Sequence, residues 1–159
     1  MERRLVTITG DLGSGKSTVA GLLAREWKAQ RYSTGAAMRD LAAKMGISLL
    51  ELSARAETDP SIDEKIDSVF RELSTATEDY IVDSRMAWHF LPNSLKIRLI
   101  VAPNIAAERV FNDGDRVPES DRTLKTPAEV YESLVARRGS ECKRYKAYYG
   151  VDVEDNTNY

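Results

Sequence analysis

The residues Gly10-Asp11-Leu12-Gly13-Ser14-Gly15-Lys16-Ser17 hold the densest chemistry in the chain: a glycine, four intervening residues, then Gly-Lys-Ser. Glycines at such spacing let successive backbone N–H groups crowd around a polyphosphate, and a helix that starts there points partial positive charge at it. A lysine at the position of Lys16 reaches the outer phosphates, and a hydroxyl such as that of Ser17 suits a metal ion carried on them. Gly10, Asp11, Leu12, Gly13, Ser14, Gly15, Lys16, Ser17 and Thr18 are therefore the expected cradle for a nucleoside triphosphate.

Three further segments carry groups that suit a second anion. In Ser33-Thr34-Gly35-Ala36-Ala37-Met38-Arg39, Thr34-Gly35 opens a helix and Arg39 lies a little over one turn inside it, within reach of an anion near the helix start. Asp83-Ser84-Arg85 ends an apolar run that reads as a buried strand. In open parallel sheets ligands bind beyond the carboxyl ends of strands, so Asp83 could orient metal-bound water and Arg85 could hold a second phosphate. Arg137, Glu141 and Arg144 are spaced by four and then three, which sets them on one helix face. Each segment also has a plainer reading: a helix cap with a solvated charge, a polar strand end, an exposed salt-bridge ladder.

The elements that must position these groups alternate. Strands are expected at Arg3 to Thr9, Arg31 to Ser33, Asp79 to Asp83 and Leu95 to Val101. Helices are expected from Lys16 to Ala29, from Thr34 to Met45 with Gly46 as its stop, and from Ser48 to Glu57. Ser48 and Glu51 have capping-box spacing. Ile62, Ile66, Val69, Phe70 and Leu73 recur with helical period, and helices follow at Ile105 to Phe111 and Pro127 to Tyr148. The polar stretch from Asn112 to Thr126 reads as a mobile loop, and Val151 to Tyr159 as a short acidic tail. His89, the one histidine, is expected to be partly buried at the surface after a strand and cannot anchor a zinc site alone. Strands alternating with helices imply an α/β fold of three layers, a parallel sheet with helices on both faces.

Composition narrows the class. The chain has 159 residues, 42% of them hydrophobic and 30% charged, as in a soluble globular domain. Its length fits a single domain over 1–159. A net charge of −2 argues against wholesale nucleic-acid binding. No apolar run approaches a membrane span, and the first residues run directly into a strand rather than a signal peptide. A single cysteine, Cys142, excludes an internal disulfide and fits a reducing, cytoplasmic setting. There is no Asn-Lys-x-Asp motif for guanine recognition, and ring-forming ATPases need a longer chain. A small chain with its phosphate loop at the N-terminus and a polar, arginine-bearing loop late in the sequence suggests a small-molecule kinase.

On these motifs the chain resembles the cytidylate kinases, most closely their short archaeal-type branch, from about Leu5 to Asp155. The resemblance implies a P-loop kinase fold that transfers the γ-phosphoryl group of ATP, with Mg²⁺, to CMP or dCMP. It implies that Gly10 to Thr18 hold ATP, with Ser17 and Asp83 at the metal. It gives Thr34, Arg39 and Arg85 to the acceptor monophosphate, within a binding segment at about 33–76. Asp59-Pro60-x-Ile62-Asp63 resembles an insert near the pyrimidine pocket, which makes Asp63 a candidate base contact. Ala107-Glu108-Arg109 matches the start of a lid at about 109–126, with Arg109 packing on adenine. Arg137-x-x-x-Glu141-x-x-Arg144 matches a signature after the lid. There Lys16, Arg137 and Arg144 would stabilise the transferring group, and Glu141 would orient the arginines or contact the acceptor nucleoside.

Two departures stand out. Asp-Ser-Arg replaces the Asp-Gly-Arg frequent in relatives. The family's usual final strand, expected after Asn158-Tyr159, is missing from these residues. The alternatives to be weighed are a P-loop kinase for another nucleoside monophosphate or a small metabolite, and an inactive nucleotide-binding module. The partners implied are small-molecule nucleotides, with no nucleic acid and no membrane.

Overall fold

Strand β1, Leu5–Gly10, is the centre of the molecule, with every residue from Val6 to Gly10 buried. A strand buried on both faces belongs inside a parallel sheet covered by helices, and the computed structural model, which describes residues 3–113 and 126–159, has this arrangement. After β1 come α1 (Lys16–Trp27), β2 (Gln30–Ser33), α2 (Thr34–Met45), α3 (Leu49–Ala56), α4 (Pro60–Asp67), α5 (Val69–Thr75), β3 (Tyr80–Asp83), α6 (Ala87–Phe90), β4 (Leu95–Leu99), α7 (Pro103–Asn112) and α8 (Pro127–Tyr149). A 3-10 turn at Asn156–Asn158 lies in the tail.

Among the described residues the sheet has four strands in the order β2-β3-β1-β4. All pair in parallel, with Val6 opposite Ile81 and Ile8 opposite Ile97. That register puts Val6, Ile8 and Ile81 on one face, where they pack with Ala20 and Ala24 of α1. Val82 points to the other face and packs with Phe70, Leu73, Ala87 and Leu91. A third cluster, Ala42, Leu49, Leu52, Ala56 and Ile62, binds α2, α3 and α4 together beside the sheet. β4 is an outer strand, and Leu95 and Ile100 at its ends are exposed.

Caps explain most helix boundaries. Ser33 caps α2 by accepting the N–H of Ala36, and Gly46 ends that helix at φ 66°. Ser48 accepts the N–H of Glu51 at 3.0 Å. Thr126 and Glu129 form a reciprocal capping box at the start of α8.

Two features differ from the sequence expectation. The helical period through Ile62 and Leu73 is carried by two helices, α4 and α5, joined at Ser68. The Ser68 hydroxyl donates to the Lys65 carbonyl at 2.9 Å, the local side-chain bond that competes with a continuous helical ladder. His89 sits in the short helix α6 and is exposed, because Ala87 and Trp88 take the inward positions and the Trp88 indole donates to the Arg85 carbonyl at 2.8 Å. The expected lid at about 109–126 lies mostly outside the described residues. Among those described, no helix is long and apolar enough to cross a membrane.

Candidate active site

β1 and β3 end side by side, and the loops leaving them build the site. The backbone after β1 makes turns that only glycine tolerates well: Gly10, Gly13 and Gly15 have φ of 142°, 75° and 90°. At Gly10 there is no alternative, since a Cβ would lie 2.0 Å from the Leu99 carbonyl oxygen. The loop closes on itself through Ser14 N–H to Asp11 O at 3.2 Å, and α1 begins with Thr18 and Val19 donating to Gly15 O. The N-terminal end of α1 therefore faces the same space as the loop.

Lys16 folds over this loop, with Nζ donating to the Asp11 carbonyl at 2.6 Å. Burial, followed by the charge of Arg85, pulls its amine down from 10.5 to about 7, against the opposing pull of Asp83 and Glu141. The group is thus a cation short of negative charge, which a phosphate would supply. Because the folded-state value is below the unfolded one, the folded chain binds fewer protons than the unfolded chain between about pH 7 and 10.5. Folding stability attributable to Lys16 accordingly rises with pH through that window. A phosphate placed against Lys16 returns it to the charged form. ADP binding measured calorimetrically near pH 8.5 in two buffers of different ionisation heat should show uptake of roughly one proton, and Lys16→Met should abolish it.

Asp83 closes β3 and is buried. Its Oδ2 accepts from Ser17 Oγ at 2.6 Å and from Ser33 Oγ at 3.2 Å, and Arg31 Nη2 lies 3.7 Å away. Thr34 Oγ1 reaches the Asp83 carbonyl at 3.5 Å. Ser17 and Asp83 are therefore adjacent hard oxygen donors of the kind that holds a small divalent cation with most of its waters. Among the described residues no group of three His, Cys, Asp or Glu side chains gathers at a metal position, so protein hydroxyl, carboxylate and water are the donors available.

Two spaces that share Thr34, Gly35, Ser84, Arg85 and Arg137 in their walls lie beside the loop. The first is a cleft lined by Lys16, Ser17, Thr34, Arg39, Asp83, Arg85 and Arg137. It brings cations from the phosphate loop, α2, the end of β3 and α8 onto one volume. The second opens beyond Arg85, between α2, α4 and α8, and is lined by Asp63, Asp67, Arg85, Glu141, Arg144 and Tyr145 among others. Arg85 borders both. Arg109 lies in a separate groove with Gly13, Gly15, Thr18 and Val19, beside the start of α1.

The two remaining α8 residues of the signature, Glu141 and Arg144, are ion-paired where they line the second space. Arg85 Nε and Glu141 Oε2 approach to 2.6 Å as an ion pair, off the line of a hydrogen bond, and both side chains are buried. Arg144 is 2% exposed. Its Nε and Nη2 donate to the two carboxylate oxygens of Asp63 at 2.8 and 3.4 Å, and Nη1 donates to Ser53 O and Ser140 Oγ, both at 3.1 Å. The structure does not bring Arg144 to Lys16. It sets Arg144 in the wall of the second space, and both Asp63 oxygens are taken up there. Burial raises the Asp63 carboxyl above its ordinary value, partly opposed by Arg144.

Sequence reasoning passed over three residues. Arg138 spans from the phosphate loop to the tail, 3.8 Å from Asp11 Oδ1 and 3.3 Å from Glu154 Oε1. Asp11 also accepts from Val101 N–H at 3.3 Å, so the loop is tied from two sides. An acid inside an otherwise cationic loop was the available signal for a partner such as Arg138. Asp67 and Tyr149 bond at 2.7 Å across α4 and α8. The four-residue spacing of Asp63 and Asp67, which sets them on one face of α4, was the corresponding signal there.

Comparison with known proteins agrees with this arrangement. A family model described as an AAA domain matches residues 6–145. A cytidylate kinase of Halobacterium salinarum is 36% identical over 157 residues, 98% of this chain and 77% of the relative. One of Methanosarcina acetivorans is 34% identical, covering 97% of this chain and 83% of its own. The solved shikimate kinase of Bacteroides thetaiotaomicron superposes with a TM-score of 0.61 at 14% identity, over 90% of this chain and 82% of that one, a likeness of fold alone. With that identity spread along almost all of its length, the chain belongs to the cytidylate kinase family.

Proposed function

We propose that the protein transfers the γ-phosphoryl group of ATP to the phosphate of CMP or dCMP. The observation that carries this reading is the cleft in which Lys16, Arg39, Arg85 and Arg137 converge between the phosphate loop and the second space. A donor polyphosphate in the loop and an acceptor phosphate at Arg85 would meet there.

Phosphoryl transfer of this type depends on in-line positioning and on neutralising charge spread over the moving group. A monophosphate oxygen is already a nucleophile at neutral pH, so no side chain needs to act as base. Lys16 would hold the transferring group. Arg39 and Arg85 would grip the acceptor phosphate, for which the planar fork of arginine is well matched. Arg137 would stabilise the charge that develops between the two. Ser17 and Asp83 would hold Mg²⁺, which when bound supplies neutralisation of the donor phosphates. Arg109, beside the start of α1, would pack on the adenine. Glu141 would hold Arg85 ready until a phosphate competes for it. Arg144 would serve the acceptor wall through Asp63.

ADP release measured with CMP, dCMP, UMP, AMP and shikimate tests the reading. CMP or dCMP should give clearly the highest kcat/KM. Equal rates across the panel would reject it, and ATP binding without ADP release would indicate a nucleotide-binding module. Arg137→Ala should lower kcat by about 10²–10³-fold, the cost of losing one preorganised donor to the transition state. A change within twofold would remove Arg137 from the centre.

A further inference from the structure

We propose that Asp67 reads the amino edge of the acceptor pyrimidine, accepting an N–H of the exocyclic amine on its Oδ1. This rests on the reading of the second space as the acceptor nucleoside pocket.

The carboxylates that line that pocket are Glu141 at its phosphate end and Asp63 and Asp67 on α4. Arg85 marks its phosphate end and is paired with Glu141. Asp63 spends both oxygens on Arg144, and Arg144 spends its donors on Asp63, Ser53 and Ser140. Ser84 Oγ accepts from Met86 N–H at 3.2 Å. Asp67, on the last turn of α4, also lines the pocket. Its Oδ2 accepts from Tyr149 at 2.7 Å, and among the described residues its Oδ1 has no hydrogen bond. A carboxylate with one oxygen pinned and one available is a directed acceptor. Tyr149 does the pinning from a rigid setting, edge-on to Phe90 at 5.4 Å and beside Tyr145 at 6.4 Å. Met38 and Ile66 supply apolar wall in the same pocket, whose cavity of about 30 Å³ must widen for a ring to enter.

The chemistry of the base then selects. Cytosine offers an amine at its fourth position, and uracil offers a carbonyl oxygen. An ionised carboxylate bonds the first and repels the second, so the discrimination includes an active penalty. A hydrogen bond to a charged acceptor contributes enough to separate the two bases by about 10- to 100-fold.

Asp67 faces Tyr149 of α8, Asp63 one turn back on α4, Arg144 of α8 and Tyr32 of β2; His89 of α6 stands behind Tyr149, with ring centroids 6.2 Å apart. Burial, chiefly, holds the Asp67 carboxyl up at about 6. Below that pH the acid form can donate to a carbonyl, and the preference for the amine should narrow.

The test is the ratio of kcat/KM for CMP to that for UMP in Asp67→Asn, alongside Tyr149→Phe and Asp63→Asn. Asparagine keeps the shape but can donate as well as accept. The ratio should fall about 10-fold or more in Asp67→Asn. It should fall less in Tyr149→Phe, with kcat for CMP retained, because only the pinning is lost. Asp63→Asn should lower the melting temperature without moving the ratio. A folded, active Asp67→Asn enzyme with an unchanged ratio would overturn this inference and leave the proposed function standing. A tether between α4 and α8 alone would give that result. If Asp67→Asn does not fold, Tyr149→Phe decides, an unchanged ratio again overturning the inference. Wild-type protein active on neither pyrimidine nucleotide would overturn both.

Discussion

Lys16→Met is expected to lower kcat by about two to three orders of magnitude while leaving the protein folded, the size of loss found when one preorganised donor to a developing negative charge is removed. The structure gives this substitution an unusual companion effect. Lys16 is held partly out of water, and among the described residues no carboxylate lies within bonding distance; its partners are a backbone carbonyl and, at 3.5 Å, a serine hydroxyl. The folded protein therefore carries the cost of a desolvated ammonium, expressed in the fall of its amine to about 7. Methionine fills similar volume without that cost. At pH 6, where the wild-type ammonium is charged, the melting temperature of Lys16→Met should be no lower than that of wild type. Steady-state kinetics and a thermal melt on one preparation check both halves. A variant that loses turnover and melts earlier would mean that Lys16 braces the loop structurally.

Arg144→Met tests the opposite kind of residue. Removing one partner of a buried ion pair leaves the other charge without compensation, at a cost of about 3–5 kcal/mol. For a chain of this size that corresponds to a fall in Tm of roughly 10–15 °C. The residue left behind is Asp63, whose carboxyl is already raised by burial. Without Arg144 it should rise further. A carboxyl raised in the folded state costs nothing below its unfolded value and costs progressively more as pH increases. The stability deficit of Arg144→Met should therefore shrink as pH falls toward the ordinary carboxylate range. The double variant Asp63→Leu, Arg144→Met should recover most of the lost stability, since apolar replacements of buried pairs are often neutral. Turnover that stayed depressed by orders of magnitude in a fully stable double variant would instead place Arg144 or Asp63 on the reacting groups.

The contrast between these two residues shows how far the chain could be read before its structure. Lys16 belongs to a motif whose geometry is local: the glycines, the lysine and the start of α1 are contiguous, so their relation follows from backbone conformation alone. The same holds for the caps at Ser33 and Ser48, and for β1 and β3, whose apolar residues identify them without knowledge of their neighbours. Arg144 is different. Its spacing from Arg137 and Glu141 set the three on one side of a helix, and that much was legible. What they face is decided by the packing of α8 against α3 and α4, which no local pattern encodes. Asp63 was picked out for a base and met an arginine; Asp67, one turn on, lines the same pocket with an oxygen to spare. The join at Ser68 was hidden for a related reason, because helical period continues across it and only the hydroxyl bond to Lys65 marks it.

The bonds that assemble the site also bear on how the chain reaches its folded state. Ser17 and Asp83 are 66 residues apart in sequence, Asp63 and Arg144 are 81 apart, and Ser53 and Arg144 are 91 apart. Each contact closes a long loop, and the entropy of that closure precedes any gain from the contact. β1 cannot pair with β3 until the whole of α1 to α5 has been accommodated between them. Neither the phosphate loop nor the second space can therefore mature as a separate early unit: recovery of ADP affinity during refolding should coincide with the slow, global phase, and a folding intermediate rich in helix should be blind to nucleotide.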